Sequence, residues 1–169
     1  MKKKFIIEDG NLLPIIGDLS FQDINSEKIV IFCHGYKGYK DWGCWNLVAN
    51  LFAENGFKFL KFNFSHNGGT IDQPIDFADL EAFSKNNYSL EVQDVSRIIK
   101  YIKESKELEF NFKELFIIGH SRGGGIAAIT AANEELISKL ITGLVYQIFL
   151  IVFLMKRKLK NGKSMVLDM

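Results

Sequence analysis

Apolar residues in this chain come in short blocks whose internal spacing switches between two periods. The segments KKFIIEDG and LLPIIGDLSF flank Gly10-Asn11 and predict two early strands paired antiparallel. Lys28 to Gly35, KIVIFCHG, is a continuous apolar run that stops at glycine. That pattern predicts a strand buried on both faces of a mostly parallel sheet. The period then changes. Trp45, Val48, Ala49 and Phe52 fall at i, i+3, i+4 and i+7, and Gly56 stands where a helix C-terminal cap belongs.

Phe57 to Phe64, FKFLKFNF, alternates and predicts the next strand; SHNGGTIDQPID after it is a polar loop. Phe77 to Asn87 has no clear period and predicts loop or a short helix. Ser89 is the expected cap of a further helix whose buried face is Val92, Val95, Ile99 and Ile102. Glu91 near its start and Lys100 and Lys103 near its end complement the helix dipole. KELFIIGHS is another buried strand, and RGGGIAAITAAN opens a helix of small residues able to lie close against a sheet. Strand and helix in alternation predict an α/β fold: the N-terminal part of a doubly wound, mostly parallel sheet.

Composition narrows the function classes. With 47% hydrophobic and 24% charged residues in 169, the chain has the make-up of one globular domain. A net charge of +1 gives no electrostatic footprint for nucleic acid. Two cysteines, Cys33 and Cys44, form neither a disulfide framework nor a metal-ligand spacing, and Cys33 reads as an inert core thiol. The opening lysine cluster is followed by only three apolar residues, Phe5 to Ile7, too few for a signal peptide, so the expectation is a cytoplasmic chain.

The candidate chemistry is the pattern Gly-x-Ser-x-Gly at Gly119, His120, Ser121, Arg122 and Gly123. A sharp turn between strand and helix needs small neighbours so that the chains can pass. The serine hydroxyl then projects from the carboxyl end of the sheet, beside free N–H groups of a helix N-terminus. His34-Gly35 ends an earlier buried strand, and the loop after it can aim a second backbone N–H at the same point. The expected oxyanion donors are the N–H groups of Arg122 and Tyr36, with Tyr36 preferred to Lys37. His34 itself reads as a hydrogen-bonded loop histidine in preference to a proton-transfer group.

HGYKGYKDWG followed by GHSRGGG resembles the α/β-hydrolase superfamily, and within it bacterial serine hydrolases of the dienelactone-hydrolase-like or serine-aminopeptidase-like kind. The resemblance runs from the first strand to Thr142. It implies Ser121 as nucleophile with the Tyr36 and Arg122 amides as oxyanion donors. It implies ester, thioester or small amide substrates, with no metal and no organic cofactor.

The pattern breaks after Ser121. The superfamily's order is Ser, then Asp or Glu, then His. Here His34, His66 and His120 all precede Ser121, and the acidic residues after it are Glu134, Glu135 and Asp168. The triad acid and histidine are therefore absent in the expected order. His120 should point away from Ser121 through the turn, and His66, in a loop after a neighbouring strand, is the remaining substitute.

Residues 143–169 form an aberrant tail, apolar and then basic. The run 141–155 has three readings. It is a membrane anchor with a positive cluster at Lys156 to Lys160, although it is short against the roughly 20 residues a spanning helix needs. It is a buried strand or helix. Or it is a frameshift product: one U restored before the Gly143 codon lets Gly143 to Ile148 read W-A-S-I-S-D-F, a segment resembling the superfamily's next strand and loop. The same shift turns Met155-Lys156 into glutamate and Met165-Val166 into glycine. On that expectation 1–142 is the N-terminal portion of a hydrolase domain, and its acid and histidine lie downstream.

Overall fold

The computed structural model describes residues 1–10, 12–105 and 111–143. In chain order its elements are β1 (Lys2–Ile7), β2 (Ile15–Ser20), β3 (Lys28–Cys33), α1 (Trp45–Glu54), β4 (Lys58–Phe62), α2 (Leu80–Lys85), α3 (Tyr88–Glu104), β5 (Glu114–His120), α4 (Arg122–Asn133) and β6 (Ile137–Gly143). Among the described residues the strands make one sheet in the order β1-β2-β4-β3-β5-β6. β1 and β2 run antiparallel, as do β2 and β4; β4, β3, β5 and β6 are mutually parallel. Helices cover both faces, so the fold is α/β and doubly wound, as the alternation of periods predicts.

Strand side chains divide between the faces with a period of two. Ile29, Ile31, Cys33, Leu115 and Ile117 pack with Val95, Ile98, Ile99 and Ile102 of α3 and Ile126, Ala127 and Ala131 of α4. Val30, Phe32, Phe116 and Ile118 face the other way, towards Ala49, Trp45, Val48 and Phe52 of α1. The end of α1 is fixed by Gly56 at φ +79°, with Gly56 N–H donating to Ala53 O at 3.1 Å and Phe57 N–H to Phe52 O at 3.0 Å. That paired closure is the left-handed glycine cap the sequence signals.

Several expectations need correction. The cap of α3 is Asn87, not Ser89: its side chain accepts from Leu90 N–H at 3.1 Å, and the helix starts two residues early. Asparagine caps as well as serine, and the earlier start makes Tyr88 the first residue of the helix. The weak segment after Phe77 holds a short helix, one of the two outcomes expected there: α2, capped by Asp79. β4 stops at Phe62 because Asn63 and Phe64 turn into loop contacts.

The alternation in FKFLKFNF also misleads about exposure. Lys58 and Lys61 are both fully buried. Lys61 lies under α1 and donates to Asp41 Oδ1 at 2.6 Å and Asn46 Oδ1 at 2.7 Å. Lys40 donates to the fully buried Asp18 Oδ2 at 2.5 Å and also pairs with Asp41. Burial alone would raise the Asp41 carboxyl, but hydrogen bonds from Lys40 and Lys61 outweigh it and hold the group well below the usual carboxylate range. Compensated charge is what makes burial of Lys40 and Lys61 tolerable. This network ties the loop after β3 to β2 and β4, and a further bond runs from Lys40 N–H to Asn63 Oδ1 at 2.8 Å.

Among the described residues no helix is long and apolar enough to cross a membrane. Gly143, the first residue of the expected tail, is still part of β6, paired with His120. The membrane-anchor, buried-segment and frameshift readings of the tail concern residues 144–169, which lie outside the described residues.

Candidate active site

Two loops meet at the carboxyl end of the parallel strands, one after β3 and one between β5 and α4. The second is the tighter. Ser121 has φ +54° and ψ −123°, a backbone region costing a non-glycine residue about 1–3 kcal/mol. Its flanking glycines are required by close approach. A Cβ on Gly119 would lie 2.2 Å from Gly123 O, and one on Gly123 would lie 2.3 Å from Cys33 O and 2.4 Å from His34 O. Both are backbone contacts with no flexible atom to yield. The spacing in the motif is thus a packing requirement: strand, turn and helix pass with no room for a methyl group.

The turn also frees the hydroxyl. A serine preceding a helix usually folds its oxygen back onto the helix N–H groups. Here Ser121 precedes α4 but makes no such side-chain bond. Its positive φ turns Oγ elsewhere, and Ser121 remains part-exposed on the wall of a cavity of about 360 Å³.

The loop after β3 forms the opposite wall, including Tyr36. It passes close over the serine: a Cβ built on Gly35 would stand 3.1 Å from Ser121 Cβ. Gly38 N–H donates to Gly35 O at 3.0 Å, closing a turn with Tyr36 and Lys37 at its centre and Lys37 at φ +55°. His34 sets this turn. Its Nδ1 lies 2.9 Å from Gly35 O, and its Nε2 accepts from Phe64 N–H at 3.2 Å. These partners fix the tautomer with the proton on Nδ1. Burial pushes the imidazole pKa down to about 4, outweighing the bond to Gly35. His34 is therefore a neutral structural histidine with both nitrogens engaged.

The other histidines are also accounted for. His66 Nδ1 lies 2.7 Å from Ser65 Oγ, and its ring is not part of the cavity wall. His120 does line the cavity, turned onto Trp42 and Trp45 with ring centroids 6.3 and 5.3 Å away. Burial lowers its pKa, so it is neutral near pH 7. Among the described residues no histidine is hydrogen-bonded to Ser121.

The Arg122 side chain reaches away from the cavity floor. Its Nε donates to the buried carboxylate Glu91 Oε2 at 2.8 Å. Its guanidinium lies 4.6 Å from the Tyr88 ring and 5.6 Å from the Tyr36 ring. The residue after the serine thus braces the aromatic residue of the facing loop. Sequence reasoning missed Glu91 here, reading it only as a dipole partner of its helix; an ion pair across α3 and α4 leaves no trace in local spacing. It also missed Trp42 as a wall of the cavity.

The first amides of a helix lack intrahelical acceptors, and α4 begins at Arg122. Ser121 thus stands between the N-terminus of α4 and the loop carrying Tyr36. Among the described residues no group of three or more His, Cys, Asp or Glu stands close enough together to hold a metal ion.

The sequence profile described as alpha/beta hydrolase fold matches residues 28–146. No curated protein matches the chain in sequence. Solved structures with a similar fold include a dienelactone hydrolase from Anabaena variabilis, 17% identical with a TM-score of 0.68 over 85% of this chain and 62% of that one. Est1E from Butyrivibrio proteoclasticus is 19% identical with a TM-score of 0.61 over 82% of this chain and 49% of its own. An esterase from Pyrococcus furiosus is 19% identical with a TM-score of 0.63 over 85% of this chain and 52% of its own. The chain thus spans between about half and 62% of the length of these structures.

Proposed function

The chain belongs to the alpha/beta hydrolase fold family, and on that premise we propose that it is a serine hydrolase acting on small ester, thioester or amide substrates through Ser121. Ser121 Oγ attacks the substrate carbonyl carbon, and its proton leaves to base or solvent. The carbonyl oxygen becomes an oxyanion facing the N–H groups of Tyr36 and Arg122. Collapse expels the alcohol, thiol or amine and leaves an acyl-serine, which water then cleaves. Oriented amides of this kind account for a hundredfold to thousandfold in rate per donor in related chemistry. No organic cofactor or metal is needed for any of these steps.

The observation that carries this reading is the φ of +54° at Ser121, with a side chain that does not bond back to α4, on the wall of a cavity shared with Tyr36. Turnover is a separate matter. Every histidine precedes Ser121, and His34 has no free nitrogen. In a serine protease of unrelated fold that uses the same kind of triad, loss of the histidine alone costs on the order of a millionfold in kcat. The chain as given is therefore expected to acylate with strongly activated reagents and to turn over substrates poorly. The absence of a later histidine favours a second reading, a folded but catalytically inactive hydrolase portion.

A fluorophosphonate probe separates the two. Labelling at Ser121 that disappears in Ser121→Ala supports the first. Folded protein that stays unlabelled under the same conditions supports the second.

A further inference from the structure

The cavity beside Ser121 is walled mainly by rings. Trp42 and His120 lie within 26° of parallel at 6.3 Å, and Trp45 meets His120 at 59° and 5.3 Å, forming a corner. Tyr36 and Tyr39 stand on the same wall line. Trp42 is 52% exposed, so much of its indole surface is uncovered. Trp45, by contrast, is anchored: its ring sits 4.0 Å from that of Phe32 in the sheet. Among the described residues no carboxylate lines the cavity, and the ammonium on its wall is that of the exposed Lys37.

From this we infer that the cavity holds the acyl part of an aromatic carboxylic ester, a single planar ring lying on Trp42 with a short linker to the carbonyl at Ser121. Size fits. A cavity of about 360 Å³ exceeds the roughly 150 Å³ that houses one benzene ring, leaving room for a short chain. Shape fits as well. Aromatic faces favour offset-stacked or edge-on partners 4.5–7 Å away, and a corner of two rings offers both to one ligand ring. An alkyl chain gains the burial without those contacts. Charge disfavours the other ligand that aromatic walls attract, a quaternary ammonium, because Lys37 repels it and no carboxylate neutralises it.

The identification of the group as acyl rests on Ser121 being the nucleophile; binding of the ring does not. The chain carries two tryptophans, and both line the cavity, so intrinsic fluorescence reports on this site directly. The full chain would be titrated separately with 3-phenylpropanoate, hexanoate and tetramethylammonium, exciting at the indole edge. The expected result is tighter binding of 3-phenylpropanoate than of hexanoate by about tenfold. That preference should vanish in Trp42→Leu and persist in Trp42→Phe, which keeps a ring. Equal affinities for the two acids, a preference unchanged in Trp42→Leu, or tightest binding of tetramethylammonium would each overturn the inference. Failure of fluorophosphonate labelling with ring preference intact would remove the nucleophile and leave the aromatic site standing.

Discussion

Gly123 and Gly125 sit two residues apart in α4, yet alanine at the two positions should act with opposite sign. Both substitutions gain helix propensity, up to about 1 kcal/mol. At Gly125, an exposed position, the new methyl would meet only the Tyr88 ring at 3.5 Å, an ordinary contact. Gly125→Ala should therefore stabilise. At Gly123 the methyl would press on two carbonyl oxygens of the β3 end at 2.3 and 2.4 Å. One of the two chains must move by roughly 1 Å, since core neighbours need about 3.5 Å. Overpacking of this kind costs about 1–3 kcal/mol. Because the propensity gain is common to both, the two variants should differ by roughly 1–3 kcal/mol, which for a chain of this length is roughly 2–12 °C in Tm. Urea unfolding of both proteins measures the difference, and an unchanged slope would show that the native state is what moved. Gly123→Ala should also slow fluorophosphonate labelling, because the displaced atoms adjoin the loop carrying Tyr36. If both alanines stabilise equally, the close crossing of β3 and the turn at Ser121 is refuted, and with it the packing account of the motif.

Ser121→Gly should abolish labelling while raising stability by about 1 kcal/mol, since glycine adopts the positive φ at little cost; a loss of stability in thermal melts would contradict the strain. Lys61→Met should cost about 3–5 kcal/mol in urea unfolding, because it leaves Asp41 and Asp18 short of a buried partner; a neutral result would mean that the network does not hold the loop. His34, with its folded pKa lowered, binds fewer protons when folded than when unfolded between about pH 6.5 and 4. Its contribution is complete above pH 6.5 and is lost as pH falls through that window. NMR titration should find this imidazole neutral at pH 5.5, and protonation above pH 6 would count against its buried, doubly bonded state. Asp41, held low by its lysines, contributes stability that is present above the ordinary carboxylate range and lost as pH falls below it. Asp41→Asn should therefore flatten the acid limb of a stability profile.

Local pattern alone determined a good deal about this protein. The buried strands β3 and β5 are continuous apolar runs, and α1 and α3 show their period directly. Gly56 marks a helix end because only a left-handed residue closes that turn. The reactive-serine candidate was legible for the same reason: Gly119 and Gly123 are forced by distances within a short stretch of chain and its immediate crossing with β3. Where the outcome depended on partners far apart in sequence, pattern was silent or misleading. Lys61 reads from sequence as a polar, exposed strand position and is buried, because Asp18 and Asp41 arrive from other elements to compensate it. His34 reads from sequence as a hydrogen-bonded histidine, but which group would bond its Nε2 was set by the fold, which brings the Phe64 N–H from thirty residues on. Glu91 reaches Arg122 only because α3 and α4 pack on one face of the sheet, and Trp42 meets His120 only because two loops converge at one end of it. Short-range sterics and periodicity are written along the chain. Charge compensation, hydrogen-bond pairing and the walls of a cavity are set by which distant segments the sheet order brings side by side.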